Sequence, residues 1–163
     1  MKILVTAFEP FNGRDMNPSQ LILEQLEAPE GVTLIKELLP VEFKTTTKLL
    51  QERLKEYQPD IVLSLGQAGN RPEISVERVA INLDNCRSSN GQKAIADNAG
   101  TYVCNHVMYT VLHEVATNCP EMKAEFIHVP FLPEQNPATG YTMELNDMVK
   151  GIQAILKYFK NNS

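Results

Sequence analysis

Three side chains of this sequence, a cysteine, a histidine and a glutamate, are of the types that together form a nucleophilic site. The cysteine, Cys104, stands in NAGTYVCNHVMYTVLHEV, where a Gly-containing turn leads into a predicted helix. Unpaired backbone N–H groups and the positive end of a helix dipole favour the thiolate, the form that attacks carbonyl carbon. A cysteine at such a position can also be a small core residue. A nucleophile therefore requires a base within reach and a group that orients the base.

His128 is the candidate base. It lies in EFIHVPF, near the carboxyl end of a predicted buried strand and just before a Pro-containing loop. In an open α/β sheet, helices begin at this edge, so we expect His128 to lie near Cys104. The two other histidines, His106 and His113, fall on the helix itself, and His106 is two residues from Cys104 and points away from it. We interpret both as surface or packing residues.

Glu77 is the candidate for orienting the base. Period-two alternation in ISVERVAIN predicts four side chains on one face of a strand: Ser75, Glu77, Val79 and Ile81. An ionised carboxylate beside apolar residues is costly to bury without a partner. Two kinds of partner are open: His128, whose tautomer the carboxylate would fix, or a neighbouring arginine, Arg71 or Arg78, in an ordinary ion pair.

Strand-like and helix-like segments alternate along the chain. The predicted strands are KILVTAF, VTLIKELLP, DIVLSLG, ISVERVAINLD and EFIHVPF. The predicted helices are NPSQLILEQLEA, KTTTKLLQERLKEY, TYVCNHVMYTVLHEVA and YTMELNDMVKGIQAILKYF. This alternation predicts an α/β fold, a three-layer α/β/α sandwich on a mostly parallel twisted sheet, with the site at the carboxyl ends of the strands.

Length and charge restrict the function further. The 163 residues fit a single domain over 1–163, and the net charge is -5 with scattered Lys and Arg, so neither nucleic acid nor a membrane is an expected partner. No apolar run approaches the ~20 residues of a membrane span. Three cysteines in a chain without a secretion signal predict free thiols and a cytoplasmic protein. We expect no cofactor and no metal.

Two loops follow predicted strands and could form a small-molecule pocket. SLGQAGNR has two glycines three residues apart, which permits a tight turn and close approach by a ligand, but it lacks the spacing of a phosphate loop. AFEPFNG places Phe8 and Phe11 after the first strand. These aromatic rings either cap the core or hold a small flat ring by apolar contact.

Five segments together resemble one family: TAFEPFNGRDMNPS, LSLGQAGNR, ISVERVAIN, NAGTYVCNHVMY and FIHVPFLPEQ. They are similar to the pyroglutamyl peptidases type I, or pyrrolidone-carboxylate peptidases, cytosolic cysteine exopeptidases with an α/β/α fold. The resemblance covers nearly the whole chain. It implies hydrolytic removal of N-terminal pyroglutamate from peptides by a triad of Cys104, His128 and Glu77, and assembly into dimers or tetramers.

The resemblance also implies which residues contact the substrate. Pyroglutamate is a neutral lactam, so its recognition requires an apolar slot with a few polar groups. The residues implied to contact it are Phe8, Phe11, Gln67, Arg87 and Val103.

One spacing departs from the family. Only 27 residues separate Glu77 from Cys104, a few dozen fewer than in typical relatives, so the domain is shortened between about 88 and 96. Either a mobile lid is missing from the sequence as written, which we favour, or a true deletion removes part of the pocket wall. Two other functions stay open: an impaired relative that only binds pyroglutamyl ligands, and a metal site of Cys104, His106 and His128.

Overall fold

A computed structural model describes residues 1–69, 71–82, 102–135, 137–138 and 140–162, and within them the chain forms a five-stranded sheet. The strands are β1 (Lys2–Phe8), β2 (Thr33–Leu39), β3 (Ile61–Gln67), β4 (Ser75–Glu77) and β5 (Lys123–Val129). Their order across the sheet is β2-β1-β3-β5-β4. β1, β2, β3 and β5 run parallel, and β4 lies antiparallel to β5 at the edge.

Helices cover both faces of the sheet. They are α1 (Pro18–Gln25), α2 (Phe43–Tyr57), α3 (Val103–Thr117) and α4 (Leu145–Asn161), with a short 3-10 turn at Pro133–Gln135. Pro18 begins α1 as predicted, and the Asn17 side chain caps that helix by accepting from the Ser19 backbone N–H at 3.0 Å. Apolar residues of α1 and α4 share one core cluster, and those of α2 and α3 share the other. The predicted three-layer α/β/α sandwich is confirmed.

The apolar run of β3 is buried on both faces, as its sequence predicted. Ile61, Leu63 and Leu65 pack against the layer formed by α1 and α4, whereas Val62 packs against the layer formed by α2 and α3. Because side chains alternate along a strand, the even-numbered positions at the carboxyl end of β3 face α3.

The predicted strand ISVERVAINLD is wrong beyond its first residues. Strand β4 ends at Glu77, and Val79 is 60% exposed, so the predicted alternation does not continue past Glu77. The reason is a side chain: the Ile81 backbone N–H and C=O bond to the amide of Asn105 at 2.9 and 2.8 Å instead of to a neighbouring strand. The chain therefore leaves the sheet directly after the glutamate.

No helix within the described parts of the chain is long and apolar enough to cross a membrane. The predicted shortening between about 88 and 96 lies outside the described residues.

Candidate active site

Cys104 and His128, distant in sequence, meet above one glycine of the sheet. Cys104 is the second residue of α3, and His128 is the last but one of β5. A Cβ built on Gly66 of β3 would lie 3.0 Å from Cys104 Sγ and 3.1 Å from His128 Cδ2. The sulfur and this ring carbon are therefore no farther apart than the two distances added together, about 6 Å. The structure brings the candidate nucleophile and base to one place.

Gly66 lies beside the thiol and the imidazole. The same Cβ would also lie 3.0 Å from the Phe126 ring, so any side chain at this position would displace three neighbours. The sequence predicted that the glycines of SLGQAGNR permit close approach by a ligand. Around Gly66 the closest atoms belong instead to the thiol, the imidazole and the Phe126 ring.

The Glu77 carboxylate lies within hydrogen-bond distance of the His128 imidazole. His128 Nδ1 lies 2.7 Å from Glu77 Oε1, and the two side chains are only 4% and 10% exposed. With Nδ1–H donating to the carboxylate, Nε2 carries no proton and can accept one. Nε2 is bonded to Cδ2, the ring atom beside Gly66, so the accepting nitrogen is one bond from the part of the ring that lies next to the glycine.

The same carboxylate oxygen also contacts an arginine side chain. Arg71 Nη1 contacts Glu77 Oε1, the atom that accepts from His128. The sequence left two partners open for Glu77, the histidine or an arginine, and the structure contains both contacts at once. Arg78, the other arginine considered, is exposed.

These contacts determine the protonation states of Glu77 and His128. Burial raises the pKa of Glu77, but hydrogen bonds and charges from His128 and Arg71 outweigh it and hold the pKa below its ordinary value. Burial lowers the pKa of His128, with a smaller lowering from the Arg71 charge, against the raising effect of Glu77. At neutral pH the pair is therefore a carboxylate and an uncharged imidazole.

The pKa of the Cys104 thiol is shifted in the direction opposite to the one that a helix N-terminus favours. Burial raises the pKa of its thiol to about 12, above the ordinary 9.0, and the charge of Glu77 adds to the rise. The Cys104 backbone N–H at the helix start acts in the opposite direction but does not compensate. The sequence indicated that the helix N-terminus favours the thiolate, but desolvation of the sulfur raises the pKa of the thiol by more than the helix end lowers it. The arrangement fits a thiol that loses its proton to His128 during attack.

Two of the five implied substrate contacts lie on the same side of the sheet as the thiol. Phe8, the last residue of β1, is 2% exposed, and Val103, the first residue of α3, is 6% exposed. Both belong to the core cluster under α2 and α3, together with Phe126. Phe11 is half-buried in the loop after β1. Arg87 lies outside the described residues.

The Gln67 side chain lies on the opposite face of the sheet from Cys104. It follows Gly66 in β3 and pairs with Val129, which belongs to the core under α1 and α4. Its amide oxygen accepts from Gln135 Nε2 at 3.0 Å, and Gln135 Oε1 in turn accepts from the Leu132 backbone N–H at 2.9 Å. Through its side chain, Gln67 thus fixes the 3-10 turn; its backbone remains at the carboxyl edge of the sheet.

His106 takes the packing role that the sequence predicted. Its Nε2 contacts Thr47 Oγ1 at 2.5 Å, and its ring meets Phe43 edge to face, so it joins α3 to α2. His113 is exposed. Among the residues that the structure describes, no three His, Cys, Asp or Glu side chains are placed to hold a metal ion.

Asn105 is a positioning residue that the sequence analysis did not identify. Its side chain is 1% exposed and binds both the N–H and the C=O of Ile81. This clamp joins the chain just after Glu77 to the first turn of the helix that carries Cys104. The available signal was a polar residue at position 105, three before Met108, on the apolar face of an amphipathic helix.

We expect Asn105→Ala to lower the free energy of unfolding by about 1 to 3 kcal/mol, because the Ile81 N–H and C=O lose both partners. Urea denaturation measures this. Asn162→Ala is the control, since Asn162 also donates to a backbone carbonyl, that of Tyr158 at 2.8 Å, but at an exposed helix end. Equal stability losses in the two variants would contradict the clamp.

Comparisons with known proteins cover nearly the whole chain. The family model described as pyroglutamyl peptidase matches residues 1–98 and 89–160. The chain is 41% identical over 197 residues to pyrrolidone-carboxylate peptidase 1 of Caldanaerobacter subterraneus subsp. tengcongensis, covering 96% of this chain and 97% of that protein. It is 39% identical over 202 residues to the pyrrolidone-carboxylate peptidase of Thermoanaerobacter sp., covering 100% of both.

Solved structures match the fold. The pyroglutamyl peptidase I of Bacillus amyloliquefaciens superposes with a TM-score of 0.81 at 30% identity, covering 93% of this chain and 91% of that one. A mutant pyrrolidone carboxyl peptidase of Pyrococcus furiosus gives 0.85 at 28% identity, covering 96% and 97%.

The alignments are longer than this chain. The 202 aligned positions exceed its 163 residues, so at least 39 positions of that alignment have no residue of this chain opposite them. The two stretches matched by the family model overlap at 89–98.

Proposed function

The chain belongs to the pyroglutamyl peptidase family, and we propose from this premise that it is a cysteine peptidase that hydrolytically removes N-terminal pyroglutamate from peptides. In this proposal Cys104 is the nucleophile, His128 the general base and acid, and Glu77 the group that orients His128. The observation that carries it is the placement of the three groups: Cys104 Sγ and His128 Cδ2 lie 3.0 and 3.1 Å from the same point, the position a Cβ on Gly66 would take, and His128 Nδ1 lies 2.7 Å from Glu77 Oε1.

Acylation begins with the neutral thiol. His128 Nε2 takes the proton of Cys104 while Sγ attacks the carbonyl carbon of the pyroglutamyl residue. The carbonyl oxygen gains a negative charge, and backbone N–H groups at the start of α3 are the available donors for it. His128 then gives the proton to the leaving amine, the peptide departs, and a thioester of Cys104 with pyroglutamate remains.

Deacylation reverses the roles with water. His128 Nε2 takes a proton from a water molecule whose oxygen attacks the thioester carbon. The carbon–sulfur bond breaks, the proton returns to Sγ, and free pyroglutamate leaves. The Glu77 carboxylate stabilises the imidazolium that forms in each half-reaction.

Recognition of the lactam requires apolar surface near the thiol. Phe8 and Val103 lie in the core cluster that also contains residues of α2 and α3, and Phe11 is half-buried in the loop after β1. We propose that these three contact the lactam ring, that the Gln67 backbone and Arg87 supply polar contacts, and that the missing α-amine removes any need for an acidic anchor.

The shortened segment favours a second candidate. At least 39 positions of a relative's alignment have no counterpart here. If they include part of the pocket wall, the chain would bind pyroglutamyl ligands without turnover. We propose that the chain is shortened between about 88 and 96, and that it is a cytoplasmic oligomer; sedimentation measures its assembly.

The test measures the release of a reporter amine from its amide with pyroglutamate. The amide of the same amine with proline is the control, because the proline ring lacks the lactam carbonyl. We expect the prolyl compound to react at least about 100-fold more slowly, because a site built for a polar group rejects an analogue without it. An intact-mass measurement must give 18.3 kDa, so that the tested chain is this one. Calorimetric binding without hydrolysis at any pH would establish the impaired relative instead.

A further inference from the structure

Arg71 is the charged group of the site that the mechanism above does not use. It lies in the loop between β3 and β4, and its guanidinium meets Glu77 Oε1, the oxygen that also accepts from His128. One carboxylate oxygen thus contacts both an arginine and an imidazole. A carboxylate bound only by the imidazole could rotate about its side-chain torsions, whereas one held by two donors has its position fixed.

The loop holds Arg71 in place. Its backbone N–H donates to the Ala68 carbonyl at 3.3 Å, so the chain turns back just after β3. Gly69, inside this turn, lies against the Phe131 ring so closely that a Cβ there would overlap the ring. The turn is therefore packed against the segment that follows His128, and the Arg71 side chain is only 30% exposed.

We propose that Arg71 is a positioning residue for this reaction: its guanidinium holds the Glu77 carboxylate against His128 and balances the charge of that carboxylate. The inference rests on the proposed function, since it assigns a role within the same site. It explains why one oxygen of a buried acid faces both an arginine and an imidazole.

Charge balance is the second part of the argument. In the parts of the chain that the structure describes, the titratable groups facing His128 are Glu77 from β4, Arg71 from the loop and Cys104 from α3; β3 presents Gly66. Glu77 raises the pKa of His128 and Arg71 lowers it. If the arginine charge is removed, the carboxylate acts on the imidazole unopposed, and His128 binds a proton at higher pH.

The sign of the pH effect follows. Catalysis needs the uncharged imidazole, so activity falls as pH drops through the pKa of His128. In the unaltered protein that pKa lies below its ordinary 6.5. In Arg71→Gln the acid limb of kcat/KM moves to higher pH. We also expect kcat/KM on the alkaline side of that limb to fall about 10- to 100-fold, the effect of losing one charge-assisted hydrogen bond.

Arg71→Lys separates charge from geometry. Lysine keeps the positive charge but not the planar fork. We expect its acid limb to stay near that of the unaltered protein while kcat/KM is reduced. Arg53→Gln is the matched control, because Arg53 of α2 pairs with Glu37 of β2 at 2.8 Å, at the opposite edge of the sheet from β4, and its side chain is also 30% exposed.

The deciding experiment pairs these pH profiles with an NMR titration of the His128 imidazole in a Cys104→Ala background, which needs no activity. A higher His128 pKa in Arg71→Gln, with Arg71→Lys and Arg53→Gln unchanged, supports the proposal. The same titration curve in all variants overturns it. Absence of hydrolysis by the unaltered protein would refute the proposed function, and the NMR titration would still decide the role of Arg71.

Discussion

Replacing Cys104 by alanine is expected to abolish release of the reporter amine, with kcat/KM reduced at least about 10⁴-fold, because the thioester of the proposed mechanism forms on its sulfur. The side chain is half-buried and contributes little volume, so the fold should persist. Circular dichroism and the urea midpoint check folding, and the rate of amine release checks activity.

Cys119→Ala is the matched control for this variant. Cys119 is also a free cysteine, but it is exposed and lies after the end of α3. Its loss should leave the rate unchanged. A Cys104→Ala protein that retained a tenth of the activity would show that another group is the nucleophile.

Glu77→Gln is expected to lower kcat/KM by about 10³- to 10⁴-fold, the cost of losing the acid in a comparable triad. The substitution removes the negative charge that stabilises the imidazolium and leaves the Arg71 charge unopposed beside it. Because Glu77 raises the pKa of His128, that pKa falls further in the variant, and the imidazole becomes a weaker base. Steady-state kinetics and the His128 titration measure the two effects.

Glu37→Gln distinguishes this role from an ordinary ion pair. Glu37 pairs with Arg53 at 2.8 Å and is 16% exposed, close to the 10% of Glu77. Each substitution removes a carboxylate from a partly buried arginine, but Arg53 keeps its second pair, with Glu56 at 2.8 Å, so Glu37→Gln should cost no more stability than Glu77→Gln. If their effects on activity were similar, Glu77 would be a structural partner of Arg71 and not a member of the catalytic site.

Local patterns were sufficient to predict most elements of the fold. The fully apolar run of β3, the amphipathic period of α2 and the proline at the start of α1 each depend on residues within a few positions. For the edge strand, local alternation predicted the wrong end point. Alternation predicted the strand up to Ile81, but the pairing ends at Glu77, and the Ile81 backbone binds the Asn105 amide instead, a contact that spans 24 positions.

The sequence by itself determined which side chains are available and on which edge of the sheet they lie: Cys104 at a helix start and His128 at a strand end. Only the tertiary structure decided their chemical state. The pKa of Cys104 rises because surrounding atoms exclude water from its sulfur, and Glu77 stays charged because His128, 51 positions away, and Arg71 meet at one oxygen. Desolvation and charge pairing depend on distances in space, and the local sequence pattern does not contain those distances.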